Sequence, residues 1–223
     1  MGEDCFEVPI FPLDMVLFPG MALPLHIFEP RYRLMMADCL ADRASFGVVL
    51  APTEGEDECA LIGRVGTLAR ISDCERLPEG RFNLLALGMR RFRIIEVRRA
   101  KPYLTALVRP LDDAPAAAIS GQHETLVREA RAALRDYLRL VMTLIGSDEQ
   151  AIGIPEGAEE LSFMIGMCLT CEDCEKQTLL ELTSMDARLE SGIRALRDEI
   201  ALLAVQLDGV KVRTGGLDRT SLN

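Results

Sequence analysis

The run Phe11-Pro12-Leu13-Asp14-Met15-Val16-Leu17-Phe18-Pro19-Gly20-Met21-Ala22-Leu23-Pro24-Leu25-His26-Ile27-Phe28-Glu29-Pro30-Arg31-Tyr32 decides the architecture of the first half of the chain. Its apolar stretches are short and interrupted by proline. Proline withholds a ladder donor, so 8–13 and 21–25 read as edge strands or strand ends. Pro30 suits the first turn of a helix, and Tyr32, Met35, Met36 and Cys39 recur at three- and four-residue spacing, which predicts a helix over 31–43. Working outward, 46–50, 60–72, 82–87, 91–97 and 103–109 read as strands, punctuated by Gly80, Gly88 and Pro102. Short strands with a single helix point to a compact, partly closed β-barrel of about six strands over 1–113.

The period then changes. Over 120–145, Leu126, Ala130, Leu134, Tyr137, Leu138, Val141 and Ile145 form an apolar stripe. Opposite them run Arg128, Arg131, Arg135 and Arg139, with Glu124 spaced to pair with Arg128. Shorter helices are expected over 159–168 and 173–182. A last one from 186 carries a seam of Leu189, Ile193, Leu196, Ile200, Leu203 and Leu207. The fold class is therefore α+β, with a barrel over 1–113, a helical bundle over 114–208, and an apolar-poor tail at 209–223 expected to be disordered.

Composition narrows the function. Acidic residues outnumber basic ones 35 to 25 in 223 residues, for a net charge of −10, which argues against a nucleic-acid coat. No apolar run is long enough to span a bilayer, and the acidic N-terminus lacks signal-peptide order. Seven unevenly spread cysteines fit reduced thiols, so a cytoplasmic location is expected.

Phe11-Pro12-Leu13, Val16-Leu17-Phe18-Pro19-Gly20 and the stretch Leu23 through Tyr32 strongly resemble the N-terminal substrate-binding domain of Lon proteases. Phe46-Gly47-Val48-Val49, Val65-Gly66-Thr67-Leu68-Ala69-Arg70-Ile71, Arg91-Phe92-Arg93-Ile94 and Pro102-Tyr103-Leu104 continue the match in family order. Glu175-Lys176-Gln177 and Leu179-Leu180-Glu181 look like that family's helical extension. The resemblance implies a PUA-like pseudo-barrel of six strands, followed by helices, that engages protein substrates. Among the family's forms, the chain looks like the stand-alone bacterial one. None of Lys101, Lys176 or Lys211 sits in a Gly-Lys-Ser/Thr phosphate loop, and no stretch resembles the Ser–Lys proteolytic domain. The expectation is a non-catalytic, ATP-independent module without a cofactor. It would bind unfolded or peptide segments of other proteins, alone or beside a protease or chaperone.

Phe18, Pro19, Met21 and Phe28 cluster around turns, where an exposed apolar patch would suit loosely specific peptide contact; filling the gap between barrel and helix is the competing reading. The segment 81–101 holds seven basic residues against Glu96 alone, so Arg91 and Arg93, with Arg90, are candidates for an RNA-binding surface. His26, beside Glu29 and Arg31, reads as part of a polar network tying the strand end to the first helix. Cys168-x-x-Cys171-x-x-Cys174 has thiolate-ligand spacing but no nearby fourth Cys or His, so buried, inert thiols are expected there rather than a metal or redox centre.

Overall fold

Among the described residues the chain forms six strands: β1 (Phe6–Leu13), β2 (Ala22–Ile27), β3 (Phe46–Leu50), β4 (Val65–Arg76), β5 (Phe82–Arg98) and β6 (Thr105–Pro110). Five α-helices accompany them: α1 (Pro30–Asp42), α2 (Gly121–Ile145), α3 (Ala158–Cys168), α4 (Asp173–Glu181) and α5 (Met185–Gly215). The computed structural model describes residues 5–114, 121–146 and 153–215. They form two units. The first holds β1–β6, α1 and the segment Cys171–Ser184 with α4; the second holds α2, α3 and α5. A single cut after 113 therefore differs from the observed division, because α4 returns to the barrel. Helix α5 also runs past 209 to Gly215, and the rest of the expected tail lies outside the described residues.

The strands lie in the order β2-β5-β4-β3-β1-β6, and β6 pairs again with β5. Five strands thus close a ring, and β2 hangs on its outside. Two expected strands, 82–87 and 91–97, are one: β5 runs through Gly88 without a break. Its first part pairs with β2 and with the far end of β4, its second with the start of β4 and with β6. The expected strand from 60 begins at Val65, and Glu58–Leu61 is a 3-10 turn.

Strand β1 lies inside the sheet order despite Pro9 and Pro12. Phe6–Pro9 pair with β6 and Ile10–Leu13 with β3, so each half has a ladder on one side only. A proline nitrogen on the other side costs no ladder bond. Strand β2 is the outer strand, as expected for a segment containing Pro24.

Ring closure depends on positions without side chains. A Cβ at Gly47 would lie 2.6 Å from Phe92 Cζ and 2.9 Å from Ile10 Cδ1; one at Gly66 would lie 2.5 Å from the Val48 carbonyl. Phe92 is fully buried with Ile10, Val49, Ile94 and Val108 in this core. A second core lies under α1, where Tyr32, Met35, Met36 and Cys39 are all buried against Phe11, Phe46, Leu84 and Ala86, as the helical spacing predicts.

In the helical unit, Ala130, Leu134, Tyr137, Leu189, Ile193 and Leu196 are buried, whereas Leu126, Leu138, Val141, Ile200 and Leu203 of the expected stripes are half-buried and Ile145 is exposed. Gly192 lets α5 approach α3, since a Cβ there would meet Ile165 Cγ2 at 2.8 Å. Arg188 is only 1 % exposed; its guanidinium donates to Ser162 Oγ at 2.8 Å and lies 4.4 Å from the Phe163 ring centre. Glu199 accepts from both Thr170 N (2.8 Å) and Thr170 Oγ1 (2.9 Å), fixing the chain beyond α3.

Gly47→Ala is expected to cost roughly 1–3 kcal/mol, as overpacking does, read as a lower urea midpoint. Adding Phe92→Leu should recover part of it; an unchanged midpoint in the single variant would contradict this packing. Burial pushes the Cys39 thiol up to about 11. Above-normal pKa leaves little thiolate at pH 8, so iodoacetamide should modify exposed Cys5 and Cys174 there and spare Cys39 until the protein unfolds.

Candidate functional site

Strand periodicity turns every second residue of β2, of the first part of β5 and of the far end of β4 away from the core. Register places them in three rows: Ala22-Leu87-Arg70, Pro24-Leu85-Asp73 and His26-Asn83-Glu75. The alternate residues Leu23, Ile27, Phe82, Leu84 and Ala86 pack inward beside α1. The outward face has an apolar part of Ala22, Pro24, Leu85 and half-buried Leu87, with the polar row at one end and Arg70 and Asp73 along β4.

The third row is hydrogen-bonded across three strands. Asn83 Nδ2 donates to Glu75 Oε2 at 2.9 Å, which leaves Asn83 Oδ1 as acceptor for His26 Nδ1 at 2.8 Å. Since that oxygen can only accept, His26 carries its proton on Nδ1. His26 is therefore tied to β5 rather than to Glu29, whose carboxylate pairs with Arg31 at 3.0 Å. The Phe28 ring stacks on His26, with centroids 6.0 Å apart and planes at 26°, and Phe28 is 61 % exposed. Together they extend the apolar part along one side.

The four apolar candidates separate. Phe18 is 1 % exposed, so it belongs to the core and not to a surface patch. The turn that contains it needs Gly20 at φ +83° and comes so close to Gly88 that a Cβ there would lie 2.3 Å from the Phe18 carbonyl. Pro19 and Met21 are half-buried, and Met21 packs against the core under α1. Phe28 alone stands out. Leu85, at 41 % exposure, joins it; alternation along 82–87 was the available signal for it.

The basic segment is occupied by its own neighbours. Arg91 is 3 % exposed and donates to the Leu180 and Leu182 carbonyls, each at 2.7 Å, and to the Asp113 carboxylate. It clamps α4 to the barrel, so it is not a surface cation. Arg93 Nη1 donates to the Gly63 carbonyl at 2.7 Å, Arg90 pairs with Asp112, Arg98 with Glu7 and Glu96, and Arg99 with Glu58. Arg81 lies 3.9 Å from Glu79, and Lys101 bonds Asp38 and Tyr103. Nothing in the local sequence marks Arg91 for burial, because its partners lie up to 91 residues away.

Gln177 adds a second tie for α4: its Nε2 donates to the Val65 carbonyl at 2.9 Å and to Glu181 at 2.8 Å. Cys168 ends α3 in the helical unit, whereas Cys171 and Cys174 belong to the barrel unit. Cys168 and Cys171 are half-buried and Cys174 is exposed; burial raises the Cys168 thiol pKa. Among the described residues no group of three or more His, Cys, Asp or Glu side chains is placed to hold a metal ion. No described helix is long and apolar enough to cross a membrane.

With this geometry in place, the comparisons with known proteins agree. Residues 7–198 match the family model of the ATP-dependent protease La (LON) substrate-binding domain. Lon protease 2 of Myxococcus xanthus is 27 % identical over 212 residues, covering 92 % of this chain and 26 % of that protein. Lon protease of Roseiflexus castenholzii is 31 % identical over 203 residues, covering 89 % of this chain and 25 % of that protein. The chain thus spans about a quarter of the length of these relatives. The Lon N-terminal domain protein from Xanthomonas campestris superposes with a TM-score of 0.61 at 26 % identity, over 83 % of this chain and 95 % of that one. The N-terminal domain of Mycobacterium avium complex Lon protease shares the fold, with a TM-score of 0.63 at 18 % identity over 86 % and 99 %.

Arg91→Met removes three hydrogen bonds and leaves Asp113 without its guanidinium. Breaking such a buried pair is expected to cost about 3–5 kcal/mol. Hydrogen exchange should locate the loss in α4, whose amides would lose protection before those of β5. Equal protection of α4 in the variant would refute the clamp.

Proposed function

This chain belongs to the LON substrate-binding domain family, and from that premise we propose that it is a non-catalytic module that holds unfolded or peptide segments of other proteins against the open face of β2, β5 and β4. Family membership carries the reading, and the exposed aromatic and aliphatic side chains of Phe28, Pro24 and Leu85 support this placement. An apolar patch with polar residues at one end and along one side wets and releases readily, which suits many weak partners. Each buried contact is offset by the entropy of ordering a flexible segment, so affinities in the micromolar range are expected.

Binding through the face is favoured over strand addition to β2. The Gly88 amide donates to the Met21 carbonyl at 2.9 Å, so by alternation Leu23, Leu25 and Ile27 are the residues bonded to β5, and 22, 24 and 26 direct their main chain away from it. Pro24 leaves the middle of that edge without a donor. A peptide strand docking there would lose its central bond.

Such a module would act as an adaptor in proteolysis or quality control in the cytoplasm, delivering clients to a protease or chaperone. The RNA-binding alternative is less well supported, since the arginines of 81–101 are engaged within the protein.

Phe28→Ser with Leu85→Ser tests the reading. Each side chain contributes about 1 kcal/mol if its remaining exposed area is buried, so the double variant should weaken capture of a reduced, carboxymethylated client roughly 30-fold. Fluorescence anisotropy measures it, with the unchanged thermal midpoint as control. Equal affinity of variant and parent, or no binding by the parent, would remove this face from consideration.

A further inference from the structure

The open face of the barrel unit carries charge at both ends, and the two ends differ in sign. Register puts Arg70 in the first row with Ala22 and Leu87, and Glu75 in the third row with His26 and Asn83. Successive rows are two residues of β5 apart, so Arg70 and Glu75 stand about 14 Å from one another along the strands. Leu85 and Pro24 lie in the row between them, with Asp73 at its β4 end. Arg70, Asp73 and Glu75 are all exposed.

These charges are not neutralised within the face. Glu75 accepts from the neutral Asn83 amide, and Asp73 from the main-chain amide of its neighbour Cys74. Arg70 pairs with no carboxylate among the described residues, whereas Arg64 lies by Glu56, Arg90 by Asp112 and Arg99 by Glu58. A cation at one end and two carboxylates toward the other give the surface an electrostatic direction across its apolar part.

Resting on the reading that this face holds peptide segments, we propose that it selects extended segments in which an apolar residue stands between an acidic residue on one side and a basic residue on the other. In an extended chain, residues i, i+2 and i+4 share a side and span about 13 Å. That spacing matches the three rows: a carboxylate over Arg70, an aliphatic or aromatic side chain over Leu85, and a Lys or Arg over Glu75. The Arg70 guanidinium presents a planar fork that takes a carboxylate through two parallel hydrogen bonds. A segment charged alike at both ends sets one end against its own sign. Exposed ion pairs contribute little each, so the selection is a modest preference laid over apolar contact. A second copy of the chain is a poor occupant: three strands and three rows cover roughly 150 Å², far below the about 800 Å² per partner of a stable interface.

The test uses the full chain and three labelled nine-residue peptides with one apolar centre. Two residues before and two after that centre, they carry Glu and Lys, Glu and Glu, or Lys and Lys. At about 100 mM salt the Debye length is about 10 Å, so each end of a peptide senses chiefly the charge beneath it. By fluorescence anisotropy the parent should bind the Glu/Lys peptide about fivefold tighter than either like-charged one, and the preference should vanish near 1 M salt. Arg70→Glu should make the Lys/Lys peptide the tightest of the three. Should that variant fail to fold, Arg70→Gln should bring the Glu/Lys and Lys/Lys peptides to equal affinity. Equal affinity of the parent for all three, tighter binding of a like-charged peptide, an unchanged order in the folded variant, or self-association of the parent that Arg70→Glu abolishes would each overturn the proposal. Phe28→Ser with Leu85→Ser separates the two readings. If it weakens all three peptides while the parent shows no preference, the face stands and the selection falls; if it weakens none, the face itself falls and the selection with it.

Discussion

The Phe92 ring occupies the space that a side chain at position 47 or 66 would need. This exclusion brings β3, β4 and β5 close enough for β6 to return to β5 and close the ring. A larger residue at either glycine would have to push the ring or a neighbouring backbone aside, and close-packed interiors absorb little of that. The two glycines are consequently part of the core even though they contribute no apolar side chain.

Closure also determines what is left outside. Strand β5 is longer than the ring requires, and its first part leaves with the far end of β4 to form a ribbon completed by β2. One side of the ribbon covers α1. The other has no covering element among the residues named in its rows, and there Leu85, Pro24 and Phe28 remain exposed. An apolar surface thus stays exposed where the ribbon leaves the ring.

Strand β5 is also the seat of the Arg91 clamp. The guanidinium takes the last carbonyls of α4 and the Asp113 carboxylate, while the Ala114 amide donates to the Thr183 carbonyl at 2.9 Å. The chain leaving the barrel and the chain coming back to it are therefore fastened side by side. Desolvating a guanidinium is costly, and here several polar groups satisfy its forked donors at once. This explains why a helix from the second half of the sequence belongs to the first unit.

Much of this was legible beforehand. Period-three-and-four spacing placed Tyr32, Met35, Met36 and Cys39 in the core, and proline placement identified β2 as an outer strand, because both express local geometry. The family resemblance ran through Phe11 to Tyr32 and the later barrel segments in order. What lay beyond the sequence were facts set by distant partners. Phe18 and Phe28 are equally aromatic and equally close to turns, yet one is buried and the other exposed, because only Gly88 allows the backbone at Phe18 to sink inward. Arg90 and Arg91 are neighbours with opposite fates, since the register shift between Gly88 and Arg91 leaves one exposed and α4 arrives over the other. Sequence by itself determined the α+β composition, the helical faces and the family; tertiary structure alone decided which apolar and cationic side chains remain for a partner, because exposure depends on what folds across a residue and not on the residues beside it.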